Sequence, residues 1–342
     1  MKQLYWGCLT ALLMITISAC SKYEPIFGVA GTTTNEGLKL KKDLVYIHRN
    51  DIYLVNEILS DEKRLTNNPS SSKTHVALSP QHDKIAYLNV NKTPVIIDTS
   101  GNVLETLSQH SNVKDILWHK NNGNTTLVIL KNNNLYYHGP AISGIPSNPF
   151  DYAFPSDVTF QAIDAIDISD NLDVFFTFRY QRPFSPTSSI RRYYHGVGVN
   201  LSSTNFDKLR YIDDGYYSPS SSAYSSLSYP YFYNVKYNEA DQNATIGYIT
   251  NGNENDYTAY QLSYYSYQSS SNFIQQQTTS LNSANYYHES DLGHVASNPS
   301  QIRKYLTTLP TGVPPPTGTP NTYTINFSTQ NTSPPTYFDW NP

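Results

Sequence analysis

From Asp43 onward the chain alternates short apolar runs with polar turn clusters, a spacing that predicts β-strands rather than helices. Leu44-Val45-Tyr46-Ile47 reads as a strand, Arg49-Asn50-Asp51 as a turn, and Ile52-Tyr53-Leu54-Val55 as the next strand. Arg64-Leu65-Thr66 leads into the turn-rich Asn67-Asn68-Pro69-Ser70. His75-Val76-Ala77-Leu78-Ser79-Pro80 follows, then a polar turn through His82-Asp83 and the strand Lys84-Ile85-Ala86-Tyr87-Leu88. Weaker copies of this unit recur downstream. Val113-Lys114-Asp115-Ile116-Leu117-Trp118 precedes a strand at 126–130, Ala165-Ile166-Asp167-Ile168-Ser169 one at 174–178, and Phe232-Tyr233-Asn234-Val235-Lys236-Tyr237 one at 245–249. His294-Val295-Ala296-Ser297-Asn298-Pro299 echoes the His75 strand and leads to 302–306. The last residues, Tyr337-Phe338-Asp339-Trp340-Asn341-Pro342, look like a first strand with its turn.

The succession Asp-Ile-Tyr-Leu-Val-Asn at 51–56, Arg-Leu-Thr-Asn-Asn-Pro at 64–69, a small-residue strand ending in Ser79-Pro80, and Lys84-Ile85-Ala86-Tyr87 resembles the WD40-like (PD40) repeat of TolB-type β-propellers. That resemblance implies blades of four antiparallel strands whose first two are joined by the Ser-Pro turn. Gln81-His82-Asp83 stands here where the family has Asp-Gly. First strands near Ala77, Leu117, Ile166, Val235, Ala296 and Phe338 give six blades, with a seventh if residues 190–237 hold another. The domain starts on what looks like a second strand and ends on a first, so pairing the two would close the ring and remove its open edges. The expected fold is an all-β, six-bladed propeller over 43–342, closed by its N- and C-terminal strands. TolB's own N-terminal α/β domain has no counterpart ahead of Asp43, so a place in the Tol–Pal system does not follow from the fold.

Two long insertions are dense in Tyr and Ser, one from Tyr216 to Pro230 and one at 257–268, and 309–320 is rich in Pro. Tyr offers wide amphipathic contact at little entropic cost, and Ser adds adaptable hydrogen bonds. Tyr216, Tyr217, Tyr224 and Tyr229 are therefore the candidate ligand-binding residues, against the alternative that they pack between blades or fill low-charge loops.

The N-terminus changes where this domain is expected to work. Lys2 precedes an apolar run at 9–17, too short to span a bilayer, and Ile17-Ser18-Ala19-Cys20 closes it. Small residues ending in Cys resemble the lipobox of bacterial lipoproteins. The resemblance implies loss of a signal peptide at 1–19, palmitate-type acylation of Cys20, and durable membrane anchoring through its chains. Residues 20–42, without apolar periodicity, would be the tether. In many Gram-negative bacteria Asp after the lipidated cysteine retains a lipoprotein at the inner membrane. Ser21 stands here, so the outer membrane is expected, with either side open to the domain. Only one cysteine would then remain, so the core alone must hold about 320 residues together.

Charged residues are 15% of the chain and the net charge is −4, with no basic stripe, which argues against nucleic acid as a partner. No activated-serine elbow and no phosphate-binding Gly loop occur. His288 and His294 are six apart, wrong for one helical face of a zinc site. His288 reads as a turn residue and His294 as the start of a strand. Asp164, Asp167, Asp170 and Asp173 lack the alternation and central glycine of a calcium loop. No metal, cofactor or catalytic residue is assigned. The sequence points to a non-enzymatic binding or scaffold module for an envelope protein or glycan. The alternative is a propeller hydrolase or lyase acting on polysaccharide through acidic and His residues that line its channel.

Overall fold

The computed structural model describes residues 40–121, 123–145, 149–150, 154–183, 191–201, 206–217, 234–238, 243–250, 261–267, 274–279, 286–290, 292–298, 301–310, 313, 321–327 and 337–341. Its strands are β1 (Lys42–His48), β2 (Asp51–Asn56), β3 (Glu62–Arg64), β4 (Thr74–Leu78), β5 (Lys84–Leu88), β6 (Pro94–Asp98), β7 (Val103–Thr106), β8 (Asp115–Asn121), β9 (Asn124–Lys131), β10 (Asn134–His138), β11 (Thr159–Ile168) and β12 (Val174–Pro183). They continue with β13 (Arg191–Leu201), β14 (Phe206–Tyr217), β15 (Asn234–Asn238), β16 (Asn243–Thr250), β17 (Gln261–Tyr267), β18 (Ile274–Thr279), β19 (Tyr286–Ser290), β20 (Gly293–Asn298), β21 (Gln301–Leu306), β22 (Thr322–Asn326) and β23 (Phe338–Trp340). No helix occurs among the described residues.

These strands form six antiparallel sheets among the described residues: β23-β1-β2-β3, β4 to β7, β8 to β10, β11 to β14, β15 to β18 and β19 to β22. The third has three strands and the others four. In the first sheet, strands from both ends of the chain are neighbours: Leu44 lies opposite Trp340, Val45 opposite Asp339 and Tyr46 opposite Phe338. First strands of successive sheets touch, β4 with β8, β8 with β11, β11 with β15, β15 with β19, β19 with β23, and β23 with β4. This repeated meander, packed through its first strands, is a β-propeller.

The packing explains why the clearest strands read as continuous apolar runs. Each is sandwiched between two neighbouring sheets, and alternate side chains enter different cores. Leu44 and Tyr46 point into the core shared with the last sheet, against Val295, Ile302 and Ile325. Val45 and Ile47 enter the core shared with the second, against Val76, Leu78 and Ile85. Ala86 and Leu88 face Ile116, Leu127 and Ile129 of the third sheet. Val128 and Leu130 in turn meet Ile166, Phe176 and Phe178 of the fourth.

The turn between first and second strands is built twice in the same way. Ser79 and Ser169 are buried, and each hydroxyl accepts from the backbone N–H four residues on, Asp83 at 3.1 Å and Asp173 at 3.0 Å. The residue before that aspartate is left-handed in both, His82 at φ 58° and Leu172 at φ 67°. His82 and Leu172 thus hold a conformation for which glycine is the usual residue. The hairpins joining second to third strands use Arg49-Asn50 and Asn132-Asn133, all with positive φ, as type I′ turns require.

Three expectations are corrected. The first strand of the last sheet is β19, not the His294 segment, which forms the second strand β20 and pairs with β21. His288 accordingly lies mid-strand opposite Val295, its ring edge-on to Trp340 at 5.5 Å. Finally, Tyr216 and Tyr217 do not open a loop but end β14, with Tyr217 opposite Tyr193. Residues 190–237 supply β13 and β14 of the fourth sheet and most of β15, and no extra sheet among the described residues.

Candidate functional site: the leading face

In an up-and-down sheet the start of the first strand, the second-to-third hairpin and the end of the fourth strand share one end. That end, the leading face, carries Tyr337 before β23, His75 in β4, Lys114 before β8, the turn around Lys92, and the end of β14 with Tyr216 and Tyr217.

Here the Arg-Leu-Thr-Asn-Asn-Pro segment has a structural task. Asp51, 1% exposed, accepts from Arg64 Nη2 (2.5 Å), Thr66 Oγ1 (2.9 Å) and the Asn68 amide (2.9 Å). Lys73 is buried beneath the same connection, and its ammonium donates to the carbonyls of Asn50, Asn68 and Ser71 at 2.7, 3.0 and 3.1 Å. Burial lowers its pKa, partly offset by Asp51. The motif thus clamps the link from the first sheet to the second beneath the β1–β2 turn.

Beside it lies a cluster that the linear sequence does not announce. The Lys92 ammonium donates to Thr74 Oγ1 at 2.8 Å, and the Lys92 carbonyl accepts from the Val113 amide at 3.0 Å, which sets Lys114 next to it. The His75 ring packs on Tyr337, centroids 4.8 Å apart, and its Nδ1 is buried without a hydrogen-bond partner. Burial, then Lys92 and Lys114, push His75 down to about 3. His48, stacked on Phe327 at 4.1 Å, is lowered to about 4 by burial and then Arg49.

Both rings are therefore neutral in the folded protein, against 6.5 when unfolded. Below that value the unfolded chain takes up protons that the folded chain refuses. Their stabilisation is complete above pH 6.5 and is lost as pH falls toward 3–4, by up to about 1.4 kcal/mol per pH unit for each ring. Urea denaturation at pH 7, 6 and 5 should show this decline, and His75→Gln should flatten it. An unchanged slope in the variant would assign the loss to other groups.

Among the described residues the fourth sheet extends furthest at this face, because β11 and β12 run ten residues each. Its projecting part carries a bidentate Arg179–Asp164 pair (2.7 and 2.9 Å), an Arg182–Asp157 pair (2.7 Å) and the stacked rings of Phe154 and Phe160. Asp164 of the acidic run is thus an ion-pair partner, and Asp170 lies in the Ser169 turn. No cluster of His, Cys, Asp and Glu able to hold a metal occurs among the described residues.

Elsewhere, carboxylates support the frame. Asp339 accepts the Leu78 amide at 2.8 Å and Asp115 the Ile166 amide at 2.9 Å, each tying one first strand to the next. Asp43 is buried between Lys304 Nζ (2.5 Å) and Trp340 Nε1 (2.9 Å). Glu62 is raised by burial and accepts from the Tyr46 hydroxyl, in β3 at the outer edge of the first sheet.

Of the residues expected from sequence to bind, Tyr217 and Tyr216 end β14 on the leading face, and the register shift there leaves 213–216 bulged from the ladder. Tyr224, Tyr229 and Cys20 lie outside the described residues. His75, Lys92 and Lys114 went unnoticed because they are far apart in sequence. The signal was the repeat register, which brings first-strand starts and second-to-third turns to one end.

The fold defines the class: a β-propeller. No family model matches the chain, and no curated protein matches it. Among solved structures it is similar to a chain of a nidogen/laminin complex, at 5% identity over 78% of this chain and 89% of that one, with a TM-score of 0.47. It is also similar to a chain of a mitotic checkpoint complex (11% identity, 75% and 84% covered, TM-score 0.43). A third is the C-terminal WD40 domain of Sif2 (11% identity, 78% and 66% covered, TM-score 0.35). These likenesses concern fold alone.

Proposed function

We propose that this propeller is a protein-binding scaffold, held at the outer membrane by lipid on Cys20, with the leading face as its docking surface. On this reading the six sheets are six blades of one ring, closed where β1 meets β23. The observation that carries the docking role is what gathers at the leading face: projecting strands, stacked rings, ion pairs and a basic cluster. The opposite end holds the compact Ser79 and Ser169 turns, the Lys42–Asp61 pair and the β21–β22 connection. Asp43, Asp51, Asp115 and Asp339 are engaged in holding the frame, which favours binding over acid–base chemistry. Anchoring rests on the lipobox-like segment ending at Cys20.

In-cell crosslinking followed by mass spectrometry tests the docking role. A stoichiometric partner is expected, and it should be lost when 216–230 is replaced by a short Gly-Ser turn. Recovery of abundant porins alone would sink the scaffold reading and turn attention to polysaccharide binding and cleavage. Anchoring has its own test: Cys20→Ala should abolish palmitate labelling and release the protein from the membrane fraction.

A further inference from the structure

We infer that Thr74, His75, Lys92 and Lys114 form an oxyanion site on the leading face, suited to a single carboxylate or phosphate group. The inference is independent of membrane anchoring and of the protein-partner reading.

Two lysines from neighbouring sheets are fixed side by side by backbone geometry. The carbonyl of Lys92 is bound by the amide of Val113, and the amide of Lys114 is bound by the Leu130 carbonyl at 2.8 Å. The first bond fixes the backbone of Lys92 against the link that carries Lys114, and the second ties that link to the third sheet, so the two side chains start from neighbouring positions. The Lys92 ammonium is oriented by Thr74 Oγ1, and Lys92 itself sits at φ 54°, a strained position for a side chain of this kind. The ammonium of Lys114 makes no hydrogen bond or ion pair among the described residues.

What is missing is a counter-charge. The groups acting on Lys92 are burial and Lys114, and those acting on His75 are burial, Lys92 and Lys114, with no carboxylate among them. Asp115, next in sequence to Lys114, is engaged by its own Ile116 neighbour and by Ile166 of the fourth sheet (amides at 2.8 and 2.9 Å). Asp51 is taken by Arg64, Thr66 and Asn68. Like charges held together without an acid are relieved by an anion, through charge-assisted hydrogen bonds from the ammonium groups. His75 contributes differently. Its imidazole stays neutral and can offer one N–H, and its Nδ1 is buried without a partner against Tyr337. An oxyanion with several lone pairs can use two ammonium donors, the Thr74 hydroxyl and one imidazole N–H together.

The experiment is an NMR titration of the full chain with sodium phosphate and, separately, with glutarate, against chloride at constant ionic strength. Saturable shifts of the Val113 and Lys114 amides and of the His75 ring are expected with at least one of the two. Lys92→Gln/Lys114→Gln should weaken binding at least tenfold while keeping the thermal midpoint at or above that of the parent, since it removes a repulsion. Lys63→Gln, which alters a lysine bound to the Thr99 carbonyl, should leave binding unchanged. Tighter phosphate binding would point to a phosphate-bearing ligand, and tighter glutarate binding to acidic peptide side chains. Non-saturating shifts with both anions, or equal binding by the folded double variant, would overturn the site.

Discussion

Lys304→Ala is expected to cost about 3–5 kcal/mol of folding stability, because it strands a carboxylate where three separate strands meet. Lys304 comes from β21 of the last sheet and is 0% exposed. Asp43 comes from β1, and Trp340, at 1%, from β23. Asp43 Oδ2 receives both the ammonium at 2.5 Å and the indole N–H at 2.9 Å, while Oδ1 is buried without a partner. The ammonium also lies 5.2 Å from the Trp340 ring centre. Removing the cation leaves Asp43 with one neutral donor and no route to water. Yet the pair is not an efficient source of stability. Burial lowers the pKa of Lys304 more than Asp43 raises it, so desolvation outweighs the Coulombic gain. Asp43→Leu with Lys304→Met should therefore lose less than the two single changes together, with a coupling of about 2–3 kcal/mol. Guanidinium denaturation followed by far-UV circular dichroism and tryptophan emission measures both. A loss under about 1 kcal/mol for Lys304→Ala would mean that water reaches Asp43.

The pair also illustrates what the sequence could and could not disclose. Strands that are apolar on both faces announce themselves, as with 44–47 and 84–88, because each side chain enters one of two cores. The Ser79 turn is legible for a similar reason: one buried hydroxyl satisfies the backbone of a fixed five-residue geometry. Toward the C-terminus this signal thins. Gln-Leu-Ser-Tyr-Tyr-Ser-Tyr in β17, Ile-Gln-Gln-Gln-Thr-Thr in β18 and Tyr-Tyr-His-Glu-Ser in β19 carry few aliphatic residues, so no apolar run marks them. Apolar patterning therefore places the first strand of the last sheet in the next segment, His294-Val295-Ala296, instead of β19. Tyr216 misled in another way, since a bulge keeps a loop-like composition inside a strand. The leading-face cluster was illegible for a third reason. Lys92 occupies a turn, Lys114 a link and His75 a strand, and only the register between sheets brings them together.

Phe178→Ala is expected to cost a further about 3–5 kcal/mol, and its partner across the strand pair supplies the internal check. Phe178 lies directly opposite Gly196 in the β12–β13 ladder. Its ring covers that glycine so closely that a Cβ built there would meet Cζ at 2.2 Å and Cε1 at 2.5 Å. The ring cannot retreat, since Phe154, Phe176 and Tyr180 surround it with centroids 5.8, 6.0 and 5.7 Å away. An aromatic lying over a cross-strand glycine restores the packing that the glycine lacks, and it makes the two positions interdependent. Gly196→Ala in the parent should thus cost about 1–3 kcal/mol through overpacking. In the Phe178→Ala background the added methyl instead enters the vacated space, so the same change should be neutral or stabilising. This reversal of sign, read by urea denaturation of the four proteins of the cycle, is the critical result. A Gly196→Ala penalty that is the same in both backgrounds would mean that the glycine is required by its backbone and not by the ring above it.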